Sequence, residues 1–275
     1  MYENIIAYQG RPGAYSHLAC RHVYADMTAL PCSTFVEAMD LVEKGLAMLA
    51  MIPLDNSTAG RVEEIYRQMP KTRLHIIGEH FEPVNHCLLG LKGSSIEQLS
   101  SVGSHPQALA QCAEHIHALG LNPVAMFDTA GAAMALKDNK DPSCAAIASS
   151  LAAELYDLEI LQTDMQDING NTTRFLILSN TRKVPQFQPN KRYITSLMFK
   201  VRNIPAALYK CMGGFATNSV NLLKLESYIA AFISMSLPIR TSVRCNWRCK
   251  SWIFSHWISA IWAPTSSTRS ATIMS

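Results

Sequence analysis

No aspartate or glutamate follows Glu226, and no tryptophan precedes Trp247. The chain also lacks an apolar run of the roughly 20 residues that a membrane span needs. Met1-Tyr2-Glu3-Asn4 has neither a basic region nor a long apolar core, so no secretory signal is expected and a cytoplasmic setting is. There is no Walker loop, no dinucleotide fingerprint in a strand-to-helix context, no HExxH pair and no four-cysteine zinc pattern. Nucleotide, nicotinamide and zinc-protease chemistry therefore have no motif here. Long basic stripes are missing as well. Residues 1–226 carry 19 basic and 21 acidic groups, which argues against nucleic acid as the main partner.

Eight cysteines are present without a regular framework. Cys20, Cys32, Cys87, Cys112, Cys144 and Cys211 sit mostly among apolar neighbours and read as buried free thiols. Cys245, Cys249 and His256 read as a chance grouping rather than metal ligands. At 275 residues, 48% of them apolar, two domains are expected.

Apolar runs of strand length alternate with helical patterns, which predicts an α/β fold. Asn4–Tyr8 reads as a strand, then a helix over 14–24. Thr28–Cys32 reads as a strand, and Ser33 and Thr34 cap a helix with Glu37 in capping-box position. A strand follows at 47–53 and a helix from Arg61. Further strands are expected at 74–78, 84–90, 101–103, 124–127, 145–148 and 175–178. One helix is expected with its body at 108–117, after Pro106, and another after Asp128. Residues 180–192 read as a linker. A second unit then shows a strand at 194–201, a helix at 205–215 and a strand at 220–227. By itself that fragment is too small to bury a stable core.

Four polar loops follow or enter strands, where α/β folds place their sites. Gly10-Arg-Pro-Gly13-Ala14-Tyr15-Ser16 could bring backbone N–H groups to an anion; a tight strand-to-helix turn explains it equally. Asp55-Asn56-Ser57-Thr58-Ala59-Gly60 offers neutral donors, or an Asx turn with a helix cap. Ser104-His105-Pro106-Gln107 opens a helix, and His105 reads more readily as a cap than as a general base. Asp167-Ile-Asn-Gly-Asn171-Thr172-Thr173-Arg174-Phe175 lines up amide, hydroxyl and guanidinium groups. Arg174 could hold a carboxylate bidentately, or be a surface arginine beside a structural turn.

Taken together and in this order, the four loops resemble prephenate dehydratase over roughly residues 5–229. Thr173-Arg174-Phe175 is similar to that family's Thr-Arg-Phe signature, and Ser104-His105-Pro106-Gln107-Ala108-Leu109 is equally close. Asp55 stands where the family motif usually opens with Glu. Gly13-Ala14-Tyr15-Ser16 stands where it usually reads Gly-Thr-Phe-Ser.

The resemblance implies a two-lobed catalytic part like type II periplasmic binding proteins over 4–180, then a linker over 181–192. It implies an ACT-type (ferredoxin-like βαββαβ) regulatory module starting near 193. By the same resemblance Thr173, Arg174, Asn56 and Gln107 are catalytic, and Ser57, Thr58, Ser104, Ala14 and Phe175 bind substrate. Ala207, Leu208, Glu226 and Ser227 mark a weaker match to an effector site for L-phenylalanine. The implied reaction turns prephenate into phenylpyruvate with loss of water and carbon dioxide, in phenylalanine biosynthesis, with no cofactor and no metal. An intact form would be a homo-oligomer. Arogenate dehydration and a non-catalytic cytoplasmic anion sensor are the competing readings.

The last 46 residues break the pattern. All four tryptophans lie at 247, 252, 257 and 262. A step of five turns about 140° around a helix, so they share no helical face. An odd step flips faces on a strand. Residues 193–229 are therefore expected to be half of the regulatory module. Residues 230–275 are expected to be an aberrant tail that supplies no matching strands, most simply a frameshifted reading of the gene. A genuine membrane-contacting tail is the alternative. Phenylalanine regulation is expected to be lost.

Overall fold

The computed structural model describes residues 4–183, 193–199, 204–217, 221–227, 231–236 and 257–262. Two compact units result, one of Met1–Leu74 with His80–Thr181 and one of His75–Glu79 with Arg182–Ser275.

The first unit opens with β1 (Ile5–Gln9), α1 (Tyr15–Val23), β2 (Thr28–Cys32), α2 (Phe35–Glu43), β3 (Leu49–Asn56), β4 (Gly60–Arg61) and α3 (Glu63–Gln68). It continues through β5 (His75–Pro83, whose residues His75–Glu79 fall in the second unit), β6 (Cys87–Gly90), β7 (Ser101–Ser104), α4 (Pro106–Gln111), α5 (Ala113–Ala118), β8 (Asn122–Ala125) and α6 (Thr129–Asn139). Then come β9 (Cys144–Ala148), α7 (Ser150–Tyr156), β10 (Glu159–Gln162) and β11 (Thr172–Ser179). The expected α/β alternation is present. The Thr34 cap of α2 forms as read, accepting from the Glu37 N–H at 3.1 Å, but the box does not close on it: Glu37 accepts from the Ser33 N–H at 2.7 Å, one residue before the cap.

These elements make two sheets. One runs β2-β1-β3-β11-β5, the other β10-β6-β9-β7-β8. In each, one strand is flanked by two parallel neighbours: β1 by β2 and β3, and β7 by β8 and β9. An antiparallel strand then extends the sheet, β11 on β3 and β6 on β9. The chain leaves the first lobe after β5, builds the second, and returns along β11. The two crossings are tied together where the Val84 N–H donates to the Asn171 carbonyl at 2.9 Å. In both lobes the connections from the central strand diverge, so crevices open at the C-terminal ends of β1, β3, β7 and β9.

Each lobe has an apolar core. Ile6, Tyr8, Met51, Ile52 and Phe175 are fully buried in the first, and Leu88, Leu89 and Ile147 in the second. Cys20, Cys32, Cys87 and Cys112 are buried free thiols, as expected. Burial pushes Cys20 and Cys112 up to about 12 and Cys32 to about 11, so they are inert at neutral pH. Gly13 has φ +88°, and a Cβ there would meet the Ala152 Cα at 3.0 Å. Its lack of a side chain lets the lobes approach.

One expected helix divides in two. The body predicted over 108–117 is broken at Cys112, whose φ of −120° is not helical. The cause is Asp167. Its carboxylate accepts from the N–H groups of Glu114 and His115, and its own N–H donates to the Gln111 carbonyl at 2.8 Å. That carbonyl would otherwise serve the next helical turn.

The second unit contains β12 (Tyr193–Phe199), α8 (Ala207–Thr217), β13 (Asn221–Ser227), β14 (Ala231–Ser236) and β15 (Trp257–Trp262). Its sheet runs β13-β14-β12-β15 with every neighbour antiparallel. Here the structure departs from the sequence reading, which gave no strands after residue 230. Ala231–Ser236 and Trp257–Trp262 both pair with β12. Backbone pairing needs extended chain rather than a clean apolar alternation, so the irregular tryptophan spacing does not prevent it. Cys245, Cys249 and His256 lie outside the described residues. No helix among the described residues is long and apolar enough to cross a membrane.

Candidate active site

Between the lobes of the first unit lies a cleft of about 520 Å³. Its walls come from the strand ends named above: Tyr15 after β1, Asn56 at the end of β3, His105 and Gln107 after β7, Thr173 on β11. Two hollows adjoin it. One of about 640 Å³ includes Ala14, Arg11 and Phe127, and one of about 420 Å³ includes Thr58, Asp167 and Ile168.

Strand register sets the chemistry of one wall. Thr173 lies opposite Asn56, and Arg174 opposite Asp55. Successive residues on a strand face opposite ways. Asn56 and Thr173 therefore reach the cleft together, and Asp55 and Arg174 turn away together. The Asn56 amide oxygen accepts from the N–H groups of Thr58 at 2.9 Å and Ala59 at 2.8 Å, which is the Asx turn the sequence allowed. That fixes its Nδ2 toward Thr173 Oγ1 at 2.9 Å and Asn171 Oδ1 at 2.7 Å. With Asn56 donating to it, the Thr173 hydroxyl keeps its own proton for another acceptor.

The network continues into the second lobe. Asn171 Nδ2 donates to Gln111 Oε1 at 3.2 Å, and His86 Nε2 donates to the same oxygen at 2.9 Å. Since Nε2 carries the proton, His86 Nδ1 is the acceptor, 2.8 Å from the Tyr15 hydroxyl. The Asn85 carbonyl, 2.9 Å from the same hydroxyl, competes with His86 for its single proton. Burial holds His86 below the ordinary imidazole range, with the Gln111 hydrogen bond pulling the other way. Burial likewise pushes the Tyr15 phenol well above its usual value. Both are neutral at physiological pH, so the relay from Tyr15 to Thr173 consists of uncharged donors and acceptors.

Several expected site residues lie elsewhere. Arg174 is buried, its Nη1 3.9 Å from Asp55 Oδ2 and its guanidinium 5.9 Å from the centre of the Phe81 ring. It is not among the residues lining the cleft, so this placement lends no support to its reading as a carboxylate clamp. Phe175 is 1% exposed and belongs to the core. Ser104 is fully buried, and its hydroxyl donates to the Ile147 carbonyl at 2.6 Å. Ser57 is exposed but clasps the return loop, accepting from the Thr172 N–H at 2.9 Å. Phe175, Ser104 and Ser57 are thus packing or bracing groups rather than cleft walls. Gln107 lines the cleft, Thr58 lines the smaller hollow, and Ala14 lines the larger one. His105 caps α4 by accepting from the Gln107 N–H at 3.2 Å, as the sequence suggested, and also lines the cleft. Ala207 is buried and Leu208 exposed at the start of α8, and Glu226 and Ser227 end β13.

The sequence reading passed over His86, Gln111 and Arg61 as site residues. Arg61 lines the cleft. Arg11 reaches the larger hollow from its pairing with Asp128 at 3.2 Å. These two arginines are the cationic side chains lining the cleft and that hollow. Their signal was available: each directly follows a loop glycine, Gly10 or Gly60, where a predicted strand gives way to a helix. His86 carried a fainter one, as the single histidine in the expected strand over 84–90.

The family model for prephenate dehydratase matches residues 6–183. A bifunctional N-acyl-homoserine lactone acylase/prephenate dehydratase from Komagataeibacter europaeus is 48% identical over 227 residues, 82% of this chain and 80% of that protein. Arogenate dehydratase/prephenate dehydratase 1 of Arabidopsis thaliana, chloroplastic, is 40% identical over 222 residues; they are 81% of this chain but only 56% of that protein's length. Among solved structures, one described as a novel type of quorum-quenching acylase superposes with a TM-score of 0.83 at 42% identity, covering 95% of this chain and 98% of that one. By sequence and by fold, the chain belongs to the prephenate dehydratase family.

Proposed function

We propose that the cleft binds prephenate and catalyses its conversion to phenylpyruvate. The observation that carries this is the Asn56–Thr173 pair, an amide locked by its own turn that leaves the threonine hydroxyl as a donor into the cleft. In the reaction the bond to the ring carboxylate breaks and its electrons enter the ring. The ring hydroxyl departs from the opposite carbon, and with a proton it becomes water. Aromatisation supplies the driving force, so the protein needs to orient a dianion and stabilise the departing oxygen. Thr173 is the hydrogen-bond donor to that oxygen. Arg61, Arg11 and Gln107 are the proposed partners of the carboxylate and keto oxygens. Asn171, Gln111, His86 and Tyr15 hold the donor in place.

Purified full-length chain should form phenylpyruvate from prephenate, followed by its absorbance. Arogenate, run in parallel, differs by one amino group; faster turnover of arogenate would move the assignment to that substrate. Absence of turnover of either would favour the anion-sensor reading.

A second reading comes from the relative that bears both names. The two hollows beside the cleft expose Phe127 and Ile168 and could accept an acyl chain. Release of homoserine lactone from an N-acyl derivative, measured by mass spectrometry, tests this activity separately. For the second unit we propose an ACT-type module. Its support is the order β13-β14-β12-β15 with α8 joining the first two strands, the layout of a βαββαβ fold. L-Phenylalanine is the effector it would take.

A further inference from the structure

Outside the cleft, three side chains converge between the last turn of α1 and strand β5. His22 Nδ1 lies 2.9 Å from Glu82 Oε2 and 3.1 Å from Oε1, and His80 Nε2 lies 2.7 Å from Oε2. One nitrogen from each imidazole and one carboxylate oxygen fall within 4.8 Å of one another. The backbone brings this about simply. His80 and Glu82 are two apart on a strand and share a face. His22 extends from the neighbouring helix.

The electrostatics are unusual. The Glu82 side chain is 2% exposed, whereas that of His22 is 54% exposed. A carboxylate this deep needs a compensating charge. Its hydrogen-bond partners are two imidazoles, each turning a ring nitrogen to the same carboxylate oxygen. A divalent ion held among the three would supply that charge. We propose that His22, His80 and Glu82 form a binding site for a divalent transition-metal ion of the zinc class.

The ligand set and geometry agree with this. Two imidazoles and one carboxylate suit zinc, and nitrogen donors disfavour calcium and magnesium. Bonds of roughly 2.0–2.2 Å in a tetrahedral site put ligand atoms about 3.3 Å apart. The present N···O separations need open by only a few tenths of an ångström. Water can reach the fourth position past the exposed His22. Two consequences follow from the placement. The ion would pin the end of α1 to β5. The same helix begins with Tyr15, two turns earlier, and β5 leads through Pro83 to His86. Metal would therefore stiffen the Tyr15–His86 contact from behind without entering the cleft.

The test is calorimetric titration of the full-length chain, stripped with chelator, using zinc chloride near neutral pH. One equivalent of zinc should bind and raise Tm. His22→Gln, which changes a half-exposed side chain, should leave the metal-free Tm unchanged and weaken binding more than about tenfold; His80→Gln should do the same to binding. Cobalt(II) should give a d–d spectrum without a thiolate charge-transfer band. Absence of saturable binding would overturn the proposal. So would undiminished binding in both variants, or a thiolate band, which would place the metal on cysteines instead.

Discussion

The two walls of the cleft were both expected to present rows of hydrogen-bond donors, and they are built differently. On the Asn56–Thr173 wall, two paired strands alternate in step, so one residue of each pair faces the cleft and its neighbour faces the protein. On the Ser104–Gln107 wall, a strand ends and a helix begins. There Ser104 is still strand, its hydroxyl consumed inside the lobe, while Gln107 stands free on the first helical turn. A motif places residues near a site. The backbone period at each position decides which of them reach it.

The sharpest way to probe the first wall is to remove the hydroxyl and the guanidinium separately. Thr173→Ala should lower kcat for prephenate by roughly 10²–10⁴-fold, the scale of a positioned proton donor. KM should change less, because the carboxylate contacts remain. An unchanged kcat would take Thr173 out of the chemistry. Arg174→Ala should behave oppositely. It leaves Asp55 deprived of a buried cation, at a cost of about 3 kcal/mol or more, seen as a loss of Tm. Soluble variant with normal Tm and a raised KM would restore the clamp reading. Arg61→Ala should raise KM by about tenfold with Tm little changed, as expected for an exposed group that binds the ground state.

The second wall makes the same contrast on a smaller scale. Ser104→Ala leaves the Ile147 carbonyl without its donor, a loss of about 1–3 kcal/mol, with kcat/KM of the folded fraction retained. Gln107→Ala should spare Tm and raise KM. Equal kinetic effects from the two would mean that Ser104 reaches the substrate after all, and the contrast between the walls would collapse.

Much of the first unit was legible because its signals are local. The Thr34 cap, the Asx turn at Asn56 and the His105 cap each depend on residues within a few positions. What escaped depends on distant partners. The break at Cys112 is made by Asp167, 55 positions later, and nothing near Cys112 announces it. The outward turn of Arg174 follows from its register against Asp55, which the sequence does not display. His86 joins the site because Gln111 and Tyr15 arrive from two other elements. In the second unit the error ran the other way. The strands at 231–236 and 257–262 are recruited by backbone pairing to β12, which a search for side-chain periodicity does not detect.

The subtlest difference between the walls should appear in acid, because the crossing that joins them rests on a neutral histidine. Burial holds His86 below its unfolded value, and His17 is lowered by burial and by Arg21. In the window between the folded pKa and about 6.5, the unfolded chain binds more protons than the folded one. Stability therefore rises with pH through that window and is lost as pH falls through it. Below the folded pKa these groups add no further loss. Protonation of His86 would also remove the acceptor at Nδ1 that faces Tyr15, so the cleft should loosen before the protein unfolds. A series of melting curves from pH 7 down to about 5 should show a modest fall in Tm, part of which disappears in His86→Gln. Hydrogen exchange at Asn85–Cys87 should quicken over the same range while exchange in β3 and β11 does not. If His86→Gln retains the full acid slope, His17 carries the effect, and the relay is insensitive to the charge of its central ring.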